Sequence, residues 1–321
     1  MIRLLAITTA CATALAVTTP ACAQEKAAPN TSSQKKSPAK RKKSRPKFQW
    51  VNRLPQRKFP PGLVHKTFLS PSMKLDVGYC IYLPPGYSEP RNSERRYPAV
   101  YYLHGGRPGS ESKSVSLASY IHNAMSQRKV AAAIYVFVNG GPVSHYNHSA
   151  TNAKGEDVFV NELIPHVDAT YRTIATRGGR GLEGFSQGGR GTARIMFKHP
   201  HLFSSAAPGG GGHATEKLIS ENDGRENPSL RFAPGDNTYD LARKYAANPR
   251  PPLKILIFVG TKGFNYQNNL EYMEFLKSLD VPFQRLIVAD APHSAKIIYE
   301  KRGLEIMKFH AENFAARTAV R

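Results

Sequence analysis

From Leu63 onward, short apolar runs alternate with segments of helical periodicity, and this alternation constrains the fold more than any other feature of the sequence. Most of the runs are continuously apolar, which is typical of strands that are buried on both faces. Strand and helix in turn, joined by right-handed crossovers, predict an α/β domain with a mainly parallel sheet covered by helices on both sides. The runs are VGYCIYLPPGY, YPAVYYLHGG, AAAIYVFVNGG, RGLEGFS, FSSAAPGGGG, LKILIFVGT and FQRLIVAD.

Helical periodicity fills five of the intervals between these runs. In residues 156–171, for example, Phe159, Leu163 and Val167 share one face of the predicted helix. Two polar stretches interrupt the alternation: the loop PVSHYNHSATNAKG, and an insertion over residues 213–248 that we expect to form a lid or rim. The predicted helices span residues 116–127, 156–171, 188–198, 269–279 and 294–316.

Residues 1–23 have the pattern of a secretory signal peptide. Arg3 precedes the apolar run LLAITTACATALAV, and the segment ends in Ala21-Cys22-Ala23, an Ala-x-Ala cleavage pattern. We therefore expect cleavage before Gln24 and a secreted or periplasmic protein. A membrane-anchoring helix is one alternative, although the run is short and rich in threonine for a span. Attachment of a lipid to Cys22 is another.

Cleavage before Gln24 changes the cysteine count of the mature protein. Cys11 and Cys22 leave with the signal peptide, so Cys80 remains without a partner for an internal disulfide. An exported protein without disulfides depends on its hydrophobic core, which suits a body spanning residues 51–318 in a chain that is 40% hydrophobic.

Residues 24–50 are predicted to form a disordered basic linker. The part up to residue 47 has nine Lys/Arg, one Glu and no large apolar residue, so it cannot bury enough surface to offset its ordering entropy. The whole chain carries a formal charge of +22. In an exported protein this charge favours anionic envelope lipids or acidic polysaccharides as partners over a specific nucleic acid, and a solubilising spacer is an equally simple interpretation.

The stretch GLEGFSQGGR frames Ser186 in a Gly-x-Ser-x-Gly pattern. This pentapeptide is weak evidence alone, but here a strand-like RGLEG precedes it and a helix-like GGRGTARIMFKHP follows it. A strand, a tight glycine turn and a helix are the setting of a nucleophile elbow, which presents a serine hydroxyl at the carboxyl end of a strand. The sequence therefore predicts that Ser186 is a nucleophile.

Two further motifs supply what a serine nucleophile needs. His293, in APHSAK, follows the last apolar run and is expected at the same edge of the sheet as Ser186, where it would act as the base. The Gly105-Gly106 pair follows another run, in YYLHGG. Its amide at Gly106, together with the amide of Gln187, is predicted to form an oxyanion hole.

The motifs LPPGY, YPAVYYLHGG, NELIPHVDATYRT, GFSQGG and VGTKG…APHS, taken together, resemble the esterase D-like family of the α/β-hydrolases over roughly residues 63–314. That family includes feruloyl and acetyl esterases, enterochelin esterases, S-formylglutathione hydrolases and mycolyl transferases. The resemblance implies the α/β-hydrolase fold, no cofactor, and acyl transfer through a serine ester.

We therefore expect an exported serine carboxylic ester hydrolase that acts on acyl or aryl esters, with feruloyl or acetyl groups on a polysaccharide as one substrate class. Two alternatives stay open. The same residues serve an acyltransferase if the pocket excludes water. A binding protein that has lost activity while keeping the fold is the other.

One position departs from the pattern of the resembled family. The family carries an aspartate just after its seventh strand, where this sequence has VGTKGFNYQNN with Gly263 in that slot. Because the acid fixes the tautomer of the histidine, three interpretations remain: a displaced carboxylate, an amide that orients the imidazole, or an impaired site. The candidate carboxylates are Asp223, Asp236, Asp240, Asp290 and Glu271, and the candidate amides are Asn265 and Asn268.

Other polar residues near these motifs have simpler structural interpretations. His145 and His148 have a ligand-like spacing, but no further ligand cluster supports them, so we expect no metal site. His104 is expected to shape the oxyanion loop through hydrogen bonds. Arg107 and Arg190 flank the predicted pocket, where they would meet an acidic substrate or only solvent.

Overall fold

The structure is a computed structural model that describes residues 48–106, 109–143, 145–148, 151–214, 218–220, 226–231 and 233–314. The predicted signal peptide and nearly all of the predicted linker lie outside these residues. Among the helices that are described, none combines the length and hydropathy that crossing a bilayer requires.

Within the described residues, eight strands form one sheet in the order β1-β2-β4-β3-β5-β6-β7-β8. β1 pairs antiparallel with β2, and β2 pairs antiparallel with β4. All other neighbours are parallel, which confirms the predicted sheet. The strands are β1 Leu63–Ser70, β2 Leu75–Tyr82, β3 Ala99–Leu103, β4 Ile134–Val138, β5 Arg180–Phe185, β6 Ser205–Gly209, β7 Lys254–Lys262 and β8 Gln284–Pro292.

Helices occupy the five predicted intervals, with ends displaced by a few residues. The helix predicted over residues 156–171 changes character before Pro165, whose missing N–H interrupts α-helical bonding: it runs as Gly155–Asp157, a π-helical stretch Val158–Leu163, and Ile164–Thr170, together called α2. The others are α1 Ala118–Ser126, α3 Gln187–Lys198, α4 Thr238–Ala246, α5 Tyr266–Ser278 and α6 Ala295–Asn313, with 3₁₀ turns at Pro90–Asn92, Val115–Leu117 and Arg177–Gly179.

The predicted insertion contains α4, whose start the stretch DNTYDLARK indicates, with Asn237 and Asp240 as a box-like cap. Asn237 caps it by accepting hydrogen bonds from the backbone N–H groups of Tyr239 and Asp240. Two short antiparallel pairs lie outside the main sheet: Asn147–His148 with Ala153–Lys154, and Leu218–Ser220 with Glu226–Arg231.

Two hydrophobic clusters cover the two faces of the sheet. On β3, Tyr101 and Leu103 belong to one cluster, and Val100 and Tyr102 to the other. Successive side chains of a strand point to opposite faces, so a strand with both faces covered must be apolar at every position. This is why the runs in the sequence are continuous.

The ordered body begins before residue 51, inside the segment predicted as linker. The carbonyl of Trp50 accepts a hydrogen bond of 2.7 Å from Gly78 N–H, and its half-buried ring packs against the core. Asn52 N–H donates to the buried carboxylate of Glu111 at 2.7 Å, which Asn139 Nδ2 also contacts at 3.0 Å. Trp50, which the prediction places in the linker, packs on the domain because it supplies apolar surface that the basic residues before it lack.

Candidate active site

Ser186 lies at the turn between β5 and α3 with φ 62° and ψ −118°. A positive φ is costly for a residue with a side chain, and here close packing holds it. A Cβ at Gly184 would lie 2.4 Å from the carbonyl oxygen of Gly188, and one at Gly188 would lie 1.9 Å from that of Leu103. The two glycines of the pentapeptide are therefore required by contact between backbones.

His293 directly follows β8 and meets Ser186 across the carboxyl edge of the sheet. Its Nε2 lies 2.8 Å from Ser186 Oγ, although the two residues are 107 positions apart in the chain. β5 and β8 run in the same direction, so both side chains emerge at one edge. The structure thus places a hydroxyl and an imidazole in hydrogen-bonding contact.

The surroundings of His293 are apolar. The rings of Phe185 and Phe264 lie 4.8 Å and 4.0 Å from the imidazole, measured between ring centroids. Burial lowers the pKa of His293 from 6.5 to about 4, because the apolar site disfavours the charged form. His293 is therefore neutral at physiological pH, which is the state that can accept a proton.

The predicted oxyanion loop lies beside Ser186. A Cβ at Gly105 would approach the Ser186 Cβ to 2.9 Å, so the loop and the nucleophile turn are in contact. Gly106 follows with φ +69°. Gln187 is the first residue of α3, and its N–H is one of the amides that a helix N-terminus leaves without an intrahelical partner.

His104 holds this loop through both ring nitrogens. Its Nε2 accepts hydrogen bonds from the backbone N–H groups of Ser110, at 3.3 Å, and Gly140, at 3.2 Å. An acceptor nitrogen carries no proton, so Nδ1 bears it and donates to the Gly105 carbonyl at 3.2 Å. Burial keeps the pKa of His104 well below its usual range, which fixes this neutral form.

We predict that His104→Phe lowers kcat by about 10- to 100-fold with little change in KM. The substitution keeps the ring but leaves two buried N–H groups without an acceptor, at about 1–3 kcal/mol each, so the loop should relax away from its catalytic position. Steady-state kinetics on a short-chain p-nitrophenyl ester measure the effect. His148→Phe, in a partly exposed loop where the imidazole contacts Thr151, is the control. Equal losses in both variants would contradict the prediction.

His145 and His148 are placed differently from each other. The ring of His145 is fully buried against that of His104, with 4.8 Å between centroids, and its Nε2 lies 3.3 Å from the His104 carbonyl. His148 contacts Thr151 at 3.0 Å. Across the residues that the structure describes, no group of three or more His, Cys, Asp or Glu side chains is positioned to hold a metal.

The candidate carboxylates that the structure describes are engaged with partners other than His293. Asp236 contacts the fully buried Arg194 and pairs with Lys198 at 3.0 Å, which ties the start of α4 to α3. Asp240 pairs with Arg243 at 2.7 Å, and the exposed Asp290 pairs with Lys262 at 2.9 Å. Asp223 lies outside the described residues.

The remaining candidates also have other partners. Glu271 accepts a hydrogen bond from Gln267 at 3.3 Å. Asn265 Nδ2 donates to the Gly210 carbonyl at 2.9 Å, and Asn268 bridges the backbone of His213. Among the described residues, no hydrogen-bonding group contacts Nδ1 of His293. Gly263 therefore leaves the acid slot without a replacement there.

Of the two arginines predicted to flank the pocket, the structure describes only Arg190. Arg190 is buried, and its Nη1 donates to the Gly212 carbonyl at 3.2 Å, so it fastens the backbone that follows β6. Arg107 is outside the described residues. Sequence reasoning missed Phe264, whose only signal is its position next to the acid slot, since no residue pattern distinguishes it from an ordinary core phenylalanine.

Comparisons with known proteins agree with this geometry. The chain matches the model of a family described as "Putative esterase" over residues 70–281, a stretch that contains Ser186. Esterase Rv1288 of Mycobacterium tuberculosis is 28% identical over 151 residues, which are 46% of this chain. The match spans only 32% of that relative's length.

Two solved structures have the same fold. A ferulic acid esterase superposes with a TM-score of 0.67 at 19% identity, over 78% of this chain and 98% of that chain. FphF, a fluorophosphonate-binding serine hydrolase of Staphylococcus aureus, does so with a TM-score of 0.64 at 19% identity, over 76% of this chain and 97% of that chain. The chain therefore belongs to the esterase family and has the α/β-hydrolase fold, as the sequence motifs predict.

Proposed function

We propose that the protein is a carboxylic ester hydrolase that works through an acyl-enzyme on Ser186. The observation that carries the proposal is the 2.8 Å contact between Ser186 Oγ and His293 Nε2 at the carboxyl edge of the sheet. Membership of the esterase family gives the reaction class. Contact between a hydroxyl and a neutral imidazole is what activation of a serine requires.

In the first half of the reaction, Ser186 Oγ attacks the ester carbonyl carbon while His293 Nε2 takes its proton. The carbon–oxygen bond to the leaving alcohol then breaks, and the same proton passes from Nε2 to that oxygen. Water next gives a proton to Nε2 and attacks the acyl-enzyme, and the proton returns to Ser186 as the acid leaves. The ester, water, Ser186 and His293 supply every proton and bond that these steps exchange.

The oxyanion formed in each half is proposed to bind the amides of Gly106 and Gln187. The N-terminus of α3 adds partial positive charge at the same point. Loss of one such donor typically costs about 3 kcal/mol in the transition state. The loop that His104 holds is thus as important to the proposal as the nucleophile turn.

For the substrate we propose acyl or aryl esters, including feruloyl esters on polysaccharides, and for the location export to the periplasm or medium. A ferulic acid esterase among the structures of the same fold supports the substrate class. The charge of +22 and the signal-like pattern of residues 1–23 support export and contact with acidic, sugar-rich or lipid surfaces. An acyltransferase using the same residues is distinguished by whether an added alcohol or sugar intercepts the acyl group.

The test combines a fluorophosphonate probe with p-nitrophenyl acetate and methyl ferulate. We expect the purified protein to hydrolyse at least one ester, and the probe to add to a single peptide containing Ser186, as mass spectrometry would show. Folded protein with neither labelling nor turnover would instead support a binding function. Labelling on another serine would reject the assigned nucleophile.

A further inference from the structure

His293 lacks the partner that usually fixes the imidazole in a serine hydrolase. Nδ1 is buried and has no hydrogen-bond partner among the described residues. To accept a proton at Nε2, the ring must carry its resting proton on Nδ1, where nothing accepts it. The other tautomer, with a proton on Nε2 donated to Ser186 Oγ, makes the same single hydrogen bond and leaves Nδ1 as an unpaired acceptor, but it cannot act as the base. Within the part of the chain that the structure describes, a contact other than a hydrogen bond to Nδ1 must therefore orient the ring.

Phe264 provides the closest aromatic contact to this ring. Its centroid lies 4.0 Å from that of His293 at an interplanar angle of 41°, while Phe185 packs at 4.8 Å and 39°. Phe185 is buried in the core, but Phe264 is 58% exposed. A large apolar side chain gains little from folding in such an exposed position. Its contact with the imidazole is therefore a feature that core packing does not explain.

We propose that Phe264 is a positioning residue that takes over the orienting role of the missing acid: its ring clamps the His293 imidazole against Phe185, with Nε2 directed at Ser186. This inference rests on the proposed ester hydrolysis. A triad carboxylate has two roles: it orients the imidazole and it stabilises the imidazolium. The aromatic clamp orients the imidazole, and no group among the described residues supplies the negative charge that would stabilise the imidazolium.

The charges around His293 agree with this division. Lys262 and Asp290, at the ends of β7 and β8, pair with each other at 2.9 Å and are exposed. Lys113 donates to the Gly105 carbonyl at 3.5 Å and Arg190 to the Gly212 carbonyl at 3.2 Å. The pKa of His293 is lowered by burial, with no charged neighbour among the causes.

The slot for a carboxylate is still open at Gly263. A Cβ built there would lie 3.7 Å from the backbone N and Cα of His293, and 3.1 Å from the Gly260 carbonyl oxygen. The first two distances are ordinary contacts. The third is tight and calls for a shift of a few tenths of an ångström. A carboxylate introduced at this position would therefore stand next to His293.

Removing the clamp is the first test. We expect Phe264→Ala to lower kcat about tenfold and to bring an acid limb of the kcat/KM profile up toward pH 6.5, since water reaches the imidazole. The wild type, in which the pKa of His293 is about 4, should show no such limb above the pH at which it unfolds. Phe264→Tyr keeps the aromatic ring, so its kcat and its pH profile should match those of the wild type. Leu69→Ala removes another exposed apolar side chain, on β1, and should change neither. If Phe264 had only a structural role, Phe264→Ala would lower the fraction of folded, active enzyme without moving the acid limb of the kcat/KM profile.

Refilling the slot is the second test. We expect Gly263→Asp to raise kcat tenfold or more and also to raise the acid limb, because an adjacent carboxylate stabilises the imidazolium. Gly263→Asn has the same size without the charge and should give no such gain. A far-downfield proton resonance from His293 Nδ1–H should appear in the aspartate variant only.

The outcomes separate the two proposals. If the wild type neither hydrolyses esters nor labels at Ser186, the proposed function fails first. If it does both, but Phe264→Ala keeps the wild-type kcat and pH profile, the clamp is rejected even if the glycine variants do not fold. Loss of activity in Asp290→Asn would also overturn it, because a displaced carboxylate would then be the acid.

Discussion

Acidification from neutral pH toward about pH 5 is expected to unfold the protein, because it buries histidines in the neutral form. His104, His145 and His213 are each at most 5% exposed. Burial lowers the pKa of His145 and His213 to about 3, and that of His104 well below its usual range. In the unfolded chain each returns to about 6.5.

The sign of the effect follows from proton counts. Below pH 6.5 the unfolded state binds a proton on each of these three histidines that the folded state does not, and His293, with its pKa lowered to about 4, acts in the same direction, so the free energy of unfolding falls as the pH falls. The slope is about 1.4 kcal/mol per pH unit for each histidine, or roughly 4 kcal/mol per unit for the three. Since domains are stable by only about 5–15 kcal/mol, one to three pH units below 6.5 should suffice.

A fourth buried histidine, His310, adds little to this slope because its neighbour compensates. Its Nε2 lies 3.7 Å from Glu183 Oε2. Burial raises the pKa of Glu183 to about 8 and lowers that of His310 to about 3. Between about pH 4.5 and 6.5 the folded pair carries one proton, on Glu183, and the unfolded pair also carries one, on His310. In this pH range the pair therefore does not change the free energy of unfolding with pH.

Urea unfolding monitored by circular dichroism between about pH 7.5 and 4.5 measures this slope. His213→Phe is the informative variant, because the imidazole stacks on Tyr272 at 3.8 Å and both ring nitrogens lack a partner among the described residues. Phenylalanine keeps the stacking and removes one titrating group, so the slope should fall by about 1.4 kcal/mol per unit. An unchanged slope would contradict the account.

Ser186→Ala is expected to reduce kcat/KM for a p-nitrophenyl ester by about 10²-fold, to the level left by binding and the oxyanion loop. Removing the nucleophile of a complete triad costs about 10⁶-fold, and removing the acid alone about 10⁴-fold. Because the acid slot holds Gly263, part of that loss is already present in the wild type. His293→Ala should cost about as much, since the two groups act as one unit.

The same substitution in the Gly263→Asp background distinguishes this interpretation. With the carboxylate restored, Ser186→Ala should cost well over 10²-fold, because the intact triad has more to lose. Single-turnover kinetics and fluorophosphonate labelling would be measured in parallel. A wild-type loss near 10⁶-fold would show that a complete triad is already at work.

The elements of this protein could be predicted from sequence where local pattern decides them. The continuous runs predict β3, β4 and β7 because both faces of these strands are covered and favour apolar side chains. β1 was missed, since half of this edge strand is exposed and its sequence LVHKTFLS has no long apolar run. The turn at Ser186 was predictable because strand, glycines and helix are adjacent in the chain.

The sequence could not identify the acid partner of His293, because that partner depends on contacts between residues far apart in the chain. The acid was uncertain because any of several carboxylates could approach His293 in a chain of this length, and only the fold pairs Asp236 with Lys198 and Asp290 with Lys262. A salt bridge between distant segments leaves no periodic trace in a single sequence.

The amino-acid sequence by itself determined the layered α/β architecture, the serine turn and the family, because each depends on residues close together in the chain. Only the tertiary structure decided that His293 reaches Ser186, that no described side chain contacts its Nδ1, and that Phe264 packs on its ring. These last facts depend on strands and loops that meet at one sheet edge from positions up to 107 residues apart.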